Sequence, residues 1–280
     1  MKTTHLNLFV PEWQGYGVDQ SPGIGARVLK QQLFADTEFF EPTIDQNEQL
    51  VVENSIVGYS AVLANLMSIR RALDDTEPES TFVLGGTCAI EVLPVTYLNK
   101  LYNGDLAVIW FDAHADLNTP DSSPSGHFHG MPLRTIVGEG EPQICQLAYS
   151  RLDASQVFLL GARDLDPAEE QFVSQSSVEK LDVDVTAEQL CKSIKQRGFS
   201  NAYVHFDLDV LNPAEFSEMI FQVAEGMSLD HSLHLVESIG RELNVVGSSL
   251  LEFVSSGSIQ HTGYLNQLSA ALRTSFAQAR

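Results

Sequence analysis

A buried strand and a polar turn meet in residues 106–118, which read LAVIWFDAHADLN. The first six of these residues are all apolar, which is typical of a β-strand buried on both faces. Asp112, His114 and Asp116 then follow at alternate positions, so in an extended chain their side chains point to one side. In open α/β sheets, ligands bind at the carboxyl ends of the strands. We therefore interpret this stretch as a central strand whose end carries a functional site.

The bulk composition restricts the classes of function. The chain has 280 residues with 44% apolar and 19% charged, which is ordinary for a globular α/β protein. Its net charge of −21 opposes contact with phosphate backbones, so we expect no nucleic-acid partner. No apolar run reaches the roughly 18 residues of a membrane span, and residues 1–13 do not resemble a signal peptide. Three widely spaced cysteines argue against a disulfide framework, and a cytoplasmic location is predicted.

Strand and helix patterns alternate along the whole chain, which predicts a mostly parallel sheet covered by helices on both faces. The predicted strands are 6–10, 81–84, 106–111, 157–160, 202–206 and 244–251. The predicted helices are 26–34, 60–73, 90–101, 131–137, 167–172, 187–195, 229–239 and 266–279. Residues 12–25 and 118–130 are predicted as loops because they are rich in glycine, proline and small polar residues. No linker or internal repeat is visible, so residues 1–280 are interpreted as one domain.

A second pair of carboxylates, Asp207 and Asp209, follows the predicted strand 202–206 at the same alternate spacing as Asp112 and Asp116. Two like charges about 4 Å apart repel by about 4 kcal/mol at an effective dielectric of about 20. Four such groups at one rim therefore call for bound cations, for protonation or for distant placement. Oxygen-rich ligation with an imidazole suits Mn²⁺, ahead of Mg²⁺, Fe²⁺ and Co²⁺. The simpler alternative is a solvated acidic rim.

Three motifs resemble the signatures of the ureohydrolase superfamily, which comprises arginases, agmatinases and formimidoylglutamases. They are DAHAD at 112–116, SGHFHG at 125–130 and DLDVLNP at 207–213. GGTC at 85–88 occupies the position of a GGDH-type motif in that family. The resemblance implies an arginase-like three-layer α/β/α fold with a mostly parallel sheet of about eight strands. It also implies a homo-oligomer and a two-manganese cluster, with a metal-bridged hydroxide as the nucleophile.

The resemblance assigns the metal ligands by motif position. It implies that Asp112 and Asp207 bridge the two metals and that His114 and Asp209 complete one of the sites. Asp116 is implied to bind the other metal and to orient the hydroxide.

Cys88 stands where the family has its remaining histidine ligand. A thiolate is a soft ligand that prefers zinc or iron to manganese, so the metal on this side is expected to be weakly held, replaced or absent. The alternative is that Cys88 is only a small buried apolar residue.

The resemblance also implies the catalytic and substrate-binding residues. His129 would pass a proton to the leaving amine, and Glu252 would pair with the guanidinium of the substrate through two hydrogen bonds. Asn118, Ser125 and His127 would contact the substrate's α-carboxylate, although His127 replaces the asparagine usual in arginases. Acidic residues after the strand 157–160 would contact its α-amino group, namely Asp164, Asp166 and Glu169. An alternative interpretation is that these three acids only stabilise the N-terminus of the following helix through its dipole.

The leading hypothesis is therefore a metal-dependent hydrolase of a guanidino or amidino C–N bond, with arginine as the first substrate. Agmatine and formiminoglutamate remain open because His127 departs from the arginase pattern. One alternative is a metal-deficient homologue that binds a guanidino compound or regulates a partner, and Cys88 is its only support. Another is a deacetylase with a single zinc.

Overall fold

A computed structural model describes residues 4–46, 49–255 and 257–274 of the chain. Within these residues the strands are β1 Leu6–Val10, β2 Val52–Glu53, β3 Ile56–Val57, β4 Thr81–Gly85, β5 Ala107–Phe111, β6 Val157–Leu160, β7 Glu179–Leu181, β8 Asn201–Phe206 and β9 Asn244–Leu250. The helices are α1 Ser21–Leu33, α2 Tyr59–Thr76, α3 Val92–Leu101, α4 Pro132–Ile136, α5 Pro142–Leu147, α6 Pro167–Gln175, α7 Ala187–Gln196, α8 Leu229–Glu242 and α9 Thr262–Thr274.

Seven of the strands form one sheet in the order β1-β4-β9-β8-β5-β6-β7. Every neighbouring pair in this sheet is parallel. Strand β5 lies between β8 and β6, so the strand predicted from residues 106–111 is inside the sheet as expected. The remaining two strands, β2 and β3, form a separate antiparallel pair.

Both faces of the sheet are covered, as the side chains of β5 show. Val108 and Trp110 belong to a core cluster with residues of α2 and α3. Ile109 and Phe111 point the other way and pack in a second cluster with residues of α1, α7, α8 and α9. All four side chains are fully buried. The predicted three-layer α/β/α architecture with a parallel sheet is therefore confirmed.

The described chain has seven strands in this sheet instead of about eight, and the edge strand β7 was not predicted. Its three residues, Glu179–Leu181, are only partly buried and carry two charges, so they lack the apolar run that identifies the inner strands. The short pair β2 and β3 was missed for a similar reason, because both residues of β2 are exposed.

Helix α1 begins at Ser21, five residues before the predicted start at residue 26. The glycines and prolines of residues 12–25 predict a loop, but Pro22 occupies the first turn of the helix, where proline is tolerated. Gly25 is required by packing: a Cβ there would lie 1.8 Å from the carbonyl oxygen of Phe253. The glycine thus allows α1 to approach the segment that follows β9.

Substitution of Gly25 by alanine should lower the free energy of unfolding by about 3 kcal/mol, because the new methyl group meets a backbone carbonyl that cannot rotate away. Gly263→Ala is the matched control: it lies in α9 with open space at its Cβ position, and it should stabilise the protein by about 0.5–1 kcal/mol. Urea unfolding of both variants measures the difference. Equal stability of the two variants would refute the packing role of Gly25.

The other long elements lie within a few residues of their predicted bounds. The closing helix, predicted at 266–279, begins earlier at Thr262 and is described to Thr274, while residues 275–280 lie outside the described residues. Helix α5 was not predicted. None of the helices in the described segments is long and apolar enough to cross a membrane.

Candidate metal centre

Five adjacent strands, β4, β9, β8, β5 and β6, deliver the candidate residues to one edge of the sheet. The segments that follow them carry Cys88, Glu252, Asp207, Asp112 and Asp164, in the same order. Because all five strands are parallel, their carboxyl ends meet at this edge. The clustering predicted from the strand ends is therefore what the topology produces.

His114 is held between two carboxylates. Its Nδ1 lies 2.9 Å from Asp209 Oδ2 and 3.3 Å from Asp112 Oδ1. Burial opposes protonation of this ring, but Asp209 and Asp112 together raise the pKa of His114 far above its ordinary value. Burial also favours the neutral form of Asp112, yet the neighbouring imidazoles of His114 and His205 lower its pKa. The three side chains thus form a tight group whose negative charge exceeds its positive charge.

Backbone amides fix the orientation of these carboxylates. Asp207 Oδ1 accepts a hydrogen bond from the Asp209 amide at 2.8 Å, and Asp209 Oδ1 accepts one from the Ala113 amide at 2.9 Å. Asp112 Oδ1 accepts from the His114 amide at 2.6 Å. The turns that follow β5 and β8 are therefore linked directly, and each carboxylate keeps a second oxygen for another partner.

Cys88 and Asp116 face the same group from the other side. The Cys88 thiol donates to Asp207 Oδ2 at 3.2 Å, and burial followed by the Asp207 charge raises the pKa of this thiol. Asp116 adopts a φ of 52°, a left-handed conformation that is uncommon outside glycine, and its buried Oδ2 has no hydrogen-bond partner among the described residues. Burial and the neighbouring Asp112 raise the pKa of Asp116.

Glu252 follows β9 and also has a left-handed backbone, with a φ of 60°. Its Oε1 accepts a hydrogen bond from the Cys88 amide at 3.0 Å, while its buried Oε2 lacks a partner in the described part of the chain. Burial raises the pKa of Glu252, and the charges of Asp209 and Asp112 add to this. A buried carboxylate oxygen without a partner is costly unless a ligand satisfies it.

The donor atoms fit divalent metals. Three sets of side chains place their ligand atoms within 4.8 Å of one another: Asp112, His114 and Asp209; Cys88, Asp207 and Glu252; and Cys88, Asp112, Asp116 and His205. The unpartnered oxygen of Asp116 and the excess of buried carboxylates are what a bound cation would satisfy. The predicted ligands are thus brought together, with Cys88 among them.

Aromatic rings cover the open side of the centre. Phe221 stacks on His129, with centroids 5.8 Å apart and planes at 4°, and it meets His114 edge-on at 5.1 Å. Tyr16 contacts His129 at 5.1 Å and His127 at 6.0 Å. Partial burial, with a further contribution from His114, lowers the pKa of His129 to about 3. The imidazole of His129 is therefore neutral at rest.

The predicted substrate-binding residues fall into two groups. Ser125 and Asp164 are exposed, and Asp164 Oδ2 lies 3.9 Å from His114 Nε2 at the mouth of the site. Asn118 is buried and donates to Asp166 Oδ2 at 2.8 Å.

Glu169 is saturated by backbone hydrogen bonds. Its two oxygens accept from the amides of Leu117 and Asp166, at 2.8 and 2.9 Å. Asp166 and Glu169 also form the capping box of α6, which is the structural role that the sequence left open for them.

Several residues of the centre were not predicted from the sequence. Tyr16 ends the one-turn helix Gln14–Tyr16 and Phe221 lies in a loop, and neither segment has a recognisable sequence pattern. His205 lies within the apolar strand β8, where a lone histidine is ordinarily structural, and Glu91 lies in the one-turn helix Cys88–Glu91. For His205 and Glu91, the one sign in the sequence is that each is a polar residue inside an apolar run.

The fold and the clustered side chains define an α/β/α protein whose buried donor atoms could hold divalent metal. A family model described as "Arginase family" matches residues 29–265. An arginase of Staphylococcus aureus (strain MRSA252) is 30% identical over 234 residues, covering 80% of this chain and 76% of that one. The chain therefore belongs to the arginase family and is a hydrolase that acts on amidino groups, which confirms the predicted family and enzyme class.

Solved structures share the fold. Arginase from Entamoeba histolytica in complex with L-ornithine superimposes with a TM-score of 0.86 at 19% identity, covering 97% of this chain and 99% of that one. Formimidoylglutamase from Bacillus subtilis gives a TM-score of 0.70 at 17% identity, covering 99% and 87%. At these identities the superpositions establish the architecture and leave the substrate open.

Proposed function

We propose that the protein hydrolyses the guanidino C–N bond of L-arginine, which yields urea and ornithine. The observation that carries this proposal is the buried, unpartnered Oε2 of Glu252 beside the cluster of metal ligands. A carboxylate in that position can accept hydrogen bonds from a planar cation such as guanidinium. The relatives named arginase, and the ornithine bound to the Entamoeba enzyme, support the same substrate.

Glu252 would hold the guanidinium in place. Its Oε1 is fixed by the Cys88 amide, so the carboxylate cannot rotate freely, and its buried Oε2 is available to accept a hydrogen bond from the guanidinium. The guanidinium would also favour the ionised form of this buried carboxyl, whose pKa burial raises. Binding and orientation of the reacting carbon thus depend on one rigid side chain.

The proposed metal ligands are Asp112, His114, Asp116, Asp207, Asp209 and Cys88. Their oxygen-rich composition favours Mn²⁺ on the His114 side. A pair of bound divalent metals lowers the pKa of water and supplies a hydroxide nucleophile at neutral pH. Asp116 belongs to the cluster, and its buried Oδ2 has no partner in the described residues, so it would accept a hydrogen bond from the nucleophile and orient it.

His129 would move the proton that the leaving amine needs. Its ring lies at the mouth of the site between Phe221 and Tyr16, and these contacts restrict its rotation. A neutral imidazole can accept a proton, and its low pKa makes the protonated form a strong acid toward an amine.

His129→Asn should lower kcat about a hundredfold and change KM little, because the proton relay acts after the substrate has bound. A loss of this size is at the low end of the contribution that a positioned general acid makes. His127→Asn is the matched control in the same loop, and it should change KM more than kcat. Steady-state urea release measures both, and an unchanged kcat in His129→Asn would exclude the relay.

The acidic mouth distinguishes between candidate substrates. Asp164 at the rim and Asp166 behind Asn118 attract the ammonium group of arginine or agmatine and repel the two carboxylates of formiminoglutamate. Agmatine is the second candidate, because the same acids suit its amino group. L-Arginine, agmatine and formiminoglutamate should be compared at equal concentration in protein loaded with Mn²⁺. Greatest turnover of arginine supports the proposal, and turnover of formiminoglutamate alone contradicts it.

A further inference from the structure

His205 lies on β8, two residues before Asp207, with its ring fully buried against the metal centre. Its Nε2 is 3.7 Å from Cys88 Sγ and 3.8 Å from Asp112 Oδ2. Ligand atoms around a tetrahedral metal, at bond lengths of about 2.1–2.3 Å, lie about 3.5 Å apart. With Asp116, these side chains form a group of four donors whose atoms all lie within 4.8 Å of one another. The spacing is therefore that of a coordination shell.

The orientation of the His205 ring is fixed by its neighbours. Trp110 stacks on it, with centroids 3.5 Å apart and planes at 8°, and the indole Nε1 donates to Asp112 Oδ2 at 3.1 Å. The other ring nitrogen, Nδ1, lies 3.4 Å from Glu91 Oε2 and 3.4 Å from Ser249 Oγ. Metal-binding histidines commonly direct their second nitrogen to a carboxylate, which fixes the tautomer and leaves the first nitrogen free to ligate.

Glu91 is built into the core as the partner of this ring. It is fully buried, and its Oε1 accepts a hydrogen bond from the Tyr203 hydroxyl at 3.2 Å. Its Oε2 has no hydrogen-bond partner within the described ranges and lies 3.4 Å from the imidazole Nδ1. A buried histidine whose Nδ1 faces a buried carboxylate, and whose Nε2 faces Cys88 and Asp112, matches a carboxylate–histidine–metal arrangement. The competing explanation is a buried cationic His205 that balances Glu91 and Asp112 without touching a metal.

We propose that His205 is a metal ligand of this protein and supplies the imidazole for the site that also contains Cys88, Asp112 and Asp116. This inference rests on the two-metal centre proposed above. One sulfur, one nitrogen and two carboxylate oxygens form a softer donor set than that around His114. The Cys88 site therefore prefers Zn²⁺ to Mn²⁺, and Glu91 acts as a positioning residue for the His205 ring.

X-ray absorption at the zinc edge tests the ligation directly. His114→Gln, which weakens the opposite site, should bind one equivalent of Zn²⁺ with one sulfur and one imidazole, and that imidazole can no longer come from position 114. His205→Gln, loaded with one equivalent of Zn²⁺, should lose the combination of sulfur and imidazole on the same zinc ion. A spectrum of His114→Gln with sulfur but no imidazole would overturn the proposal. Because His205 is intact in His114→Gln, this test stands even if His205→Gln fails to fold.

Zinc affinity provides the second measurement, by competition with a chromophoric chelator. His205→Gln should weaken the Cys88 site by more than about a hundredfold, and Glu91→Gln should weaken it by about 10–100-fold. Zinc affinity unchanged at both sites in His205→Gln would refute ligation by His205 and leave the proposed hydrolysis intact. If the parent protein binds no divalent metal, the ligation and the proposed mechanism fail together; if it binds zinc as described but hydrolyses no guanidino compound, only the proposed substrate fails.

Discussion

Chelation of divalent metal will destabilise this protein strongly, and more at pH 8 than at pH 5. The metal-free centre contains Asp112, Asp116, Asp207 and Asp209 in a buried cluster with one imidazole between two of them. Burial and mutual repulsion raise the pKa values of Asp116 and Asp207 above the value of about 4 for unfolded chains. The folded metal-free state therefore holds protons that the unfolded state has released. Its stability falls as pH rises from about 4 through the folded pKa values.

The size of the effect follows from mass action. Free metal at a thousandfold excess over Kd raises the free energy of unfolding by about 4 kcal/mol per site, so two sites raise it by about 8 kcal/mol. For a chain of this size, that corresponds to a difference in Tm of roughly 15–30 °C. Thermal unfolding followed by circular dichroism at pH 5 and pH 8, with EDTA and after addition of Mn²⁺, measures it. The same Tm with and without chelator at pH 8 would contradict a metal centre.

Glu252→Gln will lower kcat/KM for the guanidino substrate by about a thousandfold while leaving the fold at least as stable. Truncation of one partner of a buried hydrogen-bonded charge pair costs about 2–5 kcal/mol, and a glutamine NH₂ would also face the donors of the guanidinium. Stability should not fall, because glutamine keeps the size of the side chain and cannot take on the negative charge that burial beside Asp207 disfavours.

Urea release and urea unfolding of Glu252→Gln together separate binding from folding. Glu170→Gln, an exposed acid on α6, is the control and should leave kcat/KM and stability unchanged. A Glu252→Gln variant with kcat/KM close to that of the parent would exclude Glu252 from substrate binding. A large loss of stability would show that its role is structural.

The inner strands of the sheet were predictable because strands buried on both faces carry continuous apolar runs, as in β5. Strand β7 was not, since its residues Glu179–Leu181 lie at the sheet edge and need no such run. The start of α1 could not be predicted for another reason. Gly25 resembles a loop residue in sequence, and only its contact with Phe253, more than 200 positions away, explains it.

The candidate metal ligands were placed together from their spacing, because Asp112 and Asp207 follow neighbouring parallel strands. The sequence gives no comparable sign for His205. Its partners Cys88 and Glu91 follow β4, and β9 separates that strand from β8, so only the assembled sheet brings the three together. Tyr16 and Phe221 were not predicted because they belong to segments that are distant in sequence and meet only at His129 in the folded chain.

The most direct test of the metal centre is anomalous X-ray diffraction from crystals of the protein soaked in Mn²⁺. The proposal predicts two anomalous peaks about 3.5–4 Å apart, both within coordination distance of Asp112 and Asp207. Soaking in Zn²⁺ should strengthen the peak beside Cys88 and His205. Absence of any anomalous peak among these carboxylates, in crystals soaked at saturating metal, would contradict the two-metal centre and the hydrolysis built on it.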